Sequence, residues 1–387
     1  MPQIASRVRS LGTETALDVL VKARAVEARG RSVIHLEVGE PDFPTPTHIV
    51  EAGVRALRDG KTRYGAPAGL PSLREAICEA LNLRGVRALP DRVLVTPGAK
   101  PILFYGFLAT LSPGDEVLVP DPGFPIYASM VRFCGAVPVS IPPRLAEGRA
   151  LDLDALEGAI TPRTRMVVFN SPSNPTGAVV PEADLRRLAA LAERHDLWVM
   201  ADEIYRRIRY TAEEPSIAAL PGMLDRTILV DGFSKAYAMT GWRLGWGLFP
   251  AALAPHATRL MINSNTCTAS FVQEAGLAAL RGPQEVVSAM VEQFRKRRDA
   301  IVGRLGRTPG VRCHLPDGAF YAFPDVRGLP LPSAALADRL LEEEAVALLD
   351  GVGFGPGGTG HLRLSFASSL ESLEEAADRF GRLVARL

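Results

Sequence analysis

Short apolar runs that stop abruptly at Gly, Pro, Asn or Asp recur through the middle of the chain, each followed by residues with helical spacing. This alternation predicts an α/β fold, a mainly parallel sheet sandwiched by helices. Five runs carry the pattern. Val93 to Val95 leads into TPGAK, Val117 to Val119 into PDPGF, Met166 to Phe169 into NSPSNPTG, Leu197 to Ala201 into DEIY, and Ile228 to Val230 into DGFSK. Ligands of open α/β sheets bind beyond the carboxyl ends of the strands, so polar residues in these five loops are expected to converge on one site. Near the C-terminus, Leu370, Leu373, Ala377, Phe380, Val384 and Leu387 recur at steps of three and four, predicting an amphipathic helix that packs on a smaller domain. Pro181 ahead of Leu185, Leu188 and Ala192 predicts another helix, with the proline in its first turn. No Ser- or Gly-rich linker divides the chain. The expected organisation is a large domain over residues 46–285 and a smaller α+β domain built from both chain ends, residues 1–45 with an N-terminal arm and residues 286–387.

Composition narrows the function classes. A length of 387 residues accommodates two or three domains and a sizeable core. Lys and Arg number 44 against 43 Asp and Glu, which argues against a basic nucleic-acid surface and against a disordered chain. Cys78, Cys134, Cys267 and Cys313 form no Cys-x-x-Cys pair, so neither a zinc ribbon nor a disulfide framework is expected, and the histidines form no metal pattern. A reducing cytoplasm is the expected setting. MPQIASRVRS runs into polar LGTET without an apolar signal region, and the most apolar stretch, LGWGLFPAALAP, is short and interrupted by proline.

Three loops carry candidate chemistry. A lysine just after a strand and a Gly-Phe-Ser turn is held at the sheet edge, which makes Lys235 in DGFSKAYAMTGWRLGW a candidate Schiff-base lysine. That role needs a lowered pKa, from desolvation or a neighbouring cation. Arg243 is a candidate for the cation and for a phosphate fork; a solvated surface lysine is the ordinary alternative for Lys235. Asp202 ends the apolar strand LWVMA, where a carboxylate needs a partner. Paired with a pyridine nitrogen it would keep the ring protonated, and a protonated ring is the electron sink of pyridoxal 5'-phosphate; alone it would be a helix cap or a structural ion pair. Tyr205, from the same turn, is placed to reach a ring hydroxyl or else to serve as a rim aromatic. TPGAK before PILFYGFLATL reads as strand, glycine turn and helix start, so Gly98, Ala99 and Lys100 form a candidate phosphate cradle.

In chain order, VGEPDFPTP, TRYGAPAGLPSLREAI, PGAK, DPGFPIY, NSPSNPTG, ADEIY, GFSKAYAMTGWR and HLRLSF cover nearly the whole length. On these motifs the chain resembles the class I aminotransferases of the pyridoxal-phosphate fold-type I superfamily. The resemblance implies that Lys235 carries the cofactor as a Schiff base and shuttles protons, while Asp202 pairs with the ring nitrogen. Asn174 and Tyr205 would bond the ring oxygen, Phe124 would stack on the ring, and Ser234, Arg243 and the amides of Ala99 and Lys100 would hold the phosphate. Arg363 would clamp the substrate α-carboxylate with the Gly39 backbone and Asn174. A cis peptide before Pro175 is implied, as is a homodimer in which Tyr64 reaches the neighbouring subunit's phosphate.

The chain departs from aspartate-specific relatives at Gly232, where a serine hydroxyl is common, and at Phe124, where tryptophan is common. Lys100 stands where some bacterial aspartate aminotransferases meet an acidic substrate side chain, whereas Glu14 stands where a small hydroxyl residue is frequent and would repel that side chain. The expected activity is amino transfer from an L-amino acid, aspartate being one candidate, to a 2-oxo acid in two half-reactions. 2-Oxoglutarate is expected to be accepted because Lys100 stays available, and no metal is expected. A carbon-sulfur β-lyase or a decarboxylase on the same fold is the alternative, since the cofactor supports any carbanion chemistry. A cofactor-sensing regulator is disfavoured by the lack of a DNA-binding domain or basic patch, and a dinucleotide enzyme because no Gly-x-Gly-x-x-Gly follows a strand with a later acidic residue.

Overall fold

All five apolar runs form strands of one seven-stranded sheet in the computed structural model, which describes residues 2–144, 150–212 and 215–387. In chain order the strands are β1 (Val93–Thr96), β2 (Glu116–Pro120), β3 (Val137–Ile141), β4 (Thr164–Asn170), β5 (Trp198–Asp202), β6 (Thr227–Gly232) and β7 (Gly245–Leu248). Their spatial order is β1-β7-β6-β5-β4-β2-β3. Only β7 runs antiparallel to its neighbours. The central strands read as unbroken apolar runs because both faces are covered. Val117, Val119, Met166 and Val168 enter one core, while Leu118, Val167 and Phe169 enter the core on the opposite face.

Two strands are absent from the expected pattern. In β7 the sequence GWGL places glycine at alternate positions, so this part of LGWGLFPAALAP shows no strand signature of β-branched or alternating residues. At the edge, β3 begins with Val137 49% exposed and Pro138 beside it, which weakens the signal.

Register sets the site. Asn170 pairs with Asp202, and Asp202 with Val230, so the loops after β4, β5 and β6 leave the sheet at one level. After β1 the helix Lys100–Thr110 starts directly, and after β2 the helix Ile126–Phe133 follows. The helix Glu182–Arg194 buries Leu185, Leu188 and Ala192 as expected, but Pro181 caps it from outside rather than occupying its first turn.

Both chain ends contribute to a second, smaller layer. Ile34–His35 pairs with Val346–Ala347, and Tyr321–Ala322, Leu349–Asp350 and Leu362–Ser365 form a three-stranded antiparallel sheet. The helices Glu285–Leu305, Ser333–Glu344 and Leu370–Val384 cover it. Its core joins Leu36, Phe294, Leu340 and Phe380 with Tyr205 and Ile208, which arrive from the loop after β5. The terminal helix buries Leu373, Ala377 and Phe380, whereas Leu370 opens the helix at 39% exposure and Leu387 lies beyond its end. Among the described residues no helix is long and apolar enough to cross a membrane.

Candidate active site

The five loops meet. A cavity of about 460 Å³ is lined by Ala99 and Lys100 after β1, Phe124 after β2, Asn174 after β4, Asp202 and Tyr205 after β5, and Ser234 and Lys235 after β6. Glu14 to Leu17, Val38 to Glu40, Arg243, Tyr321, Leu349, Phe354 and Arg363 are also on the wall.

Lys235 is fixed by its neighbours. Phe233, Tyr237 and Met239 are buried, and Met239 N–H bonds the Ser234 carbonyl to close the turn. The lysine Nζ donates to the Gly39 carbonyl at 2.6 Å and lies 5.9 Å from the ring centroids of Tyr205 and Phe320. Burial brings its ammonium down to about 8; Glu40 and Glu14 oppose that shift, while Arg363 and Lys100 reinforce it. Desolvation therefore dominates, and the reinforcing cations are Arg363 and Lys100 rather than the expected Arg243.

Asp202 ends β5 with its carboxylate out of solvent. Oδ2 accepts from the Tyr127 hydroxyl at 2.6 Å and Oδ1 from Ile204 N–H at 3.1 Å. Burial raises the carboxyl to about 6, and those two hydrogen bonds pull the other way. Asn170, one strand over, donates its side-chain amide to the Asp202 carbonyl at 2.9 Å and accepts from Asn174 N–H at 2.7 Å. The Asn174–Pro175 bond is cis, and the buried Asn174 Oδ1 has no partner among the described residues.

Tyr205 and Tyr321 share a hydroxyl contact of 2.7 Å with their rings edge to face. Arg363, in the strand Leu362–Ser365, is only 3% exposed. Its guanidinium lies 4.7 Å from the Tyr321 centroid and 5.3 Å from that of Phe354, donates to the Glu37 carbonyl, and leaves Nε without a partner. It is a planar fork fixed by two aromatic faces, suited to a carboxylate.

At the other end Gly98 has φ +84°, and a Cβ there would lie 2.1 Å from Arg243 Nη2. Glycine thus lets the turn approach the guanidinium, and the helix behind it presents free amides. Gly98 itself stands behind the cavity wall, whereas Ala99, Ser234 and Arg243 line it. Arg243 Nη1 donates to the Thr240 carbonyl at 2.7 Å.

Lys100 differs from expectation. It does not stay available: its Nζ is bonded to the Glu14 carboxylate, 5.7 Å from the Phe124 centroid. Tyr64 is 88% exposed and is not on the cavity wall. Gly39, Asn174 and Arg363 are on it.

Sequence reasoning missed Tyr127 and Tyr321. Tyr127 had a signal, since it closes the DPGFPIY motif one helical turn after Phe124. Tyr321 had none, because an aromatic in GAFYAF reads as core.

The profile of the family described as Aminotransferase class I and II matches residues 31–380. An aspartate aminotransferase of Musicola paradisiaca is 39% identical, with 99% of this chain and 97% of that protein covered. An arginine–pyruvate transaminase of Pseudomonas aeruginosa is also 39% identical, covering 96% of this chain and 95% of the other. Among solved structures, the aspartate aminotransferase of Thermus thermophilus with maleate superposes with a TM-score of 0.94 at 39% identity, over 99% of this chain and all (100%) of that one. With the cavity built at the strand ends and the match running along nearly the full length, the chain belongs to the class I and II aminotransferase family and is an aminotransferase.

Proposed function

We propose that the cavity holds pyridoxal 5'-phosphate and that the enzyme moves an amino group from an L-amino acid to a 2-oxo acid. The observation that carries this reading is the pairing of a half-buried, low-pKa lysine, Lys235, with the buried carboxylate of Asp202 on the walls of one cavity. The residues fit the cofactor. The orphaned Asn174 Oδ1 and the Gly98–Arg243 approach are polar features the chain alone leaves unsatisfied or open. Ala99 and Lys100 amides, Ser234 and Arg243 would take the phosphate, Phe124 would face the ring, and Asn174 and Tyr205 would meet its oxygen.

When bound, the cofactor carries the amino group and accepts the electron pair released at the substrate Cα. Arg363 grips the α-carboxylate in two parallel hydrogen bonds, with Gly39 and Asn174 alongside, and that grip fixes which Cα bond is set for cleavage. Lys235 Nζ, held to the Gly39 carbonyl when idle, takes the Cα proton and returns it. Asp202 keeps the ring nitrogen protonated, with Tyr127 holding its carboxylate in place.

The large domain over residues 46–285 and the small domain from residues 1–45 and 286–387 remain our reading of the organisation, with a cytoplasmic homodimer completing each site through Tyr64. Borohydride reduction of the loaded protein followed by peptide mapping tests the lysine; label on any other residue sinks the assignment. Transfer without release of ammonia, pyruvate or carbon dioxide separates amino transfer from the lyase and decarboxylase alternatives.

A further inference from the structure

Among the described residues four cations line the cavity: Lys100, Lys235, Arg243 and Arg363. On the proposed reading Arg363 serves the α-carboxylate, Arg243 the phosphate and Lys235 the chemistry. Lys100 alone remains for a second carboxylate on a substrate side chain, and it is bonded to Glu14. Glu14 occupies the cap position of the helix Thr15–Glu27 yet its side chain makes no cap hydrogen bond and goes to Lys100 instead. Lys100 opens the helix Lys100–Thr110, where the macrodipole disfavours a cation, so a carboxylate beside it is doubly favoured. Leu17, Leu349 and Phe354 add apolar surface to the same cavity.

We infer that the Glu14–Lys100 ion pair is the selectivity element of the side-chain pocket, reserving it for substrates with uncharged side chains. This deepens the aminotransferase reading and rests on it. An acidic side chain entering the pocket meets the Glu14 carboxylate, or must displace it from Lys100, before gaining a cation of its own. An uncharged side chain meets a pair already neutralised and packs on Leu17, Leu349 and Phe354. Both half-reactions use the one pocket, so aspartate, glutamate and 2-oxoglutarate carry this handicap in either direction, and a neutral 2-oxo acid does not. The pair is half exposed, which moderates the handicap to about tenfold in affinity.

The test is equilibrium binding to the cofactor-loaded, full-length protein by calorimetry, with maleate as the dicarboxylate and 4-methylpentanoate as the monocarboxylate. Wild type is expected to prefer 4-methylpentanoate. Glu14→Gln should raise the maleate-to-monocarboxylate affinity ratio by about tenfold, Glu14→Ser should move it the same way, and adding Lys100→Gln should cancel the gain. A wild type that prefers maleate, a ratio unmoved by both Glu14 variants, or a gain that survives loss of Lys100 overturns the inference. Amino transfer with an unmoved ratio sinks the pair alone; the expected ratios with no transfer from any amino acid sink the aminotransferase chemistry alone.

Discussion

Tyr127 donates its phenolic hydrogen to the Asp202 carboxylate at 2.6 Å, in a place where neither side chain reaches solvent. Burial alone favours a neutral Asp202, and this hydrogen bond is the largest contribution opposing it before a cofactor arrives. A hydrogen bond to a buried charge contributes about 1.5 to 3 kcal/mol. Tyr127→Phe should therefore weaken pyridoxal-phosphate binding by about tenfold or more while leaving the fold intact, as read by cofactor titration and circular dichroism. Unchanged cofactor affinity would remove Tyr127 from the site.

Asp202 also makes the cofactor-free protein pH-sensitive. Its carboxyl is raised to about 6 in the folded chain from an ordinary 3.8, so the folded state is favoured when the group is protonated and that advantage is lost as pH rises through about 6. Asp202→Asn should leave the stability of the cofactor-free protein unchanged near pH 4 and increase it above about pH 6, by up to about 3 kcal/mol. Urea unfolding at both pH values checks this. The same substitution should remove most amino transfer, so stability and activity move in opposite directions.

Desolvation lowers the Lys235 ammonium from an ordinary 10.5 to about 8. Covalent capture of pyridoxal 5'-phosphate by the cofactor-free enzyme should accelerate with pH up to about 8 and then level off. Stopped-flow absorbance across the pH range tests this, with Lys235→Ala as the variant that binds without capture. A capture rate still climbing above about pH 10 would mean an unperturbed amine.

Tyr64 stands 88% exposed on a single chain, which is the arrangement expected of a residue lent to a partner. Light scattering should find a dimer at assay concentration. Mixing Lys235→Ala with Tyr64→Ala should yield heterodimers with one site carrying both defects and one carrying neither, restoring up to about a quarter of wild-type activity. Mixtures no more active than the impaired parents would place each site within one subunit.

What the sequence made legible follows from chain connectivity. Lys235, Asp202, Asn174 and the Gly98 turn each sit directly after an apolar run, so their convergence follows from the parallel sheet. The C-terminal helix was legible from its spacing alone. The contacts that tune the site were not, because they join distant parts of the chain. Glu14 and Lys100 are separated by 86 positions, and Tyr205 and Tyr321 by 116. Without the order of the family motifs, Arg363 in HLRLSF reads as a solvent-facing strand residue, and only the structure shows Tyr321 and Phe354 enclosing it.

Gly39 lies where the two layers of the molecule touch. Its carbonyl receives the Lys235 amine, and a Cβ on it would come within 2.1 Å of the Tyr321 hydroxyl. Asp202 ends a strand of the large sheet and Lys235 stands in the loop after the next strand, whereas Arg363 and Tyr321 belong to the short C-terminal sheet, which has its own core. Heat that loosens only the C-terminal layer would strip away the proposed carboxylate grip and leave the lysine proposed to carry the yellow cofactor where it is. Inactivation would then run ahead of bleaching, and a warmed sample would pass through a stage at which it is still yellow but no longer an enzyme.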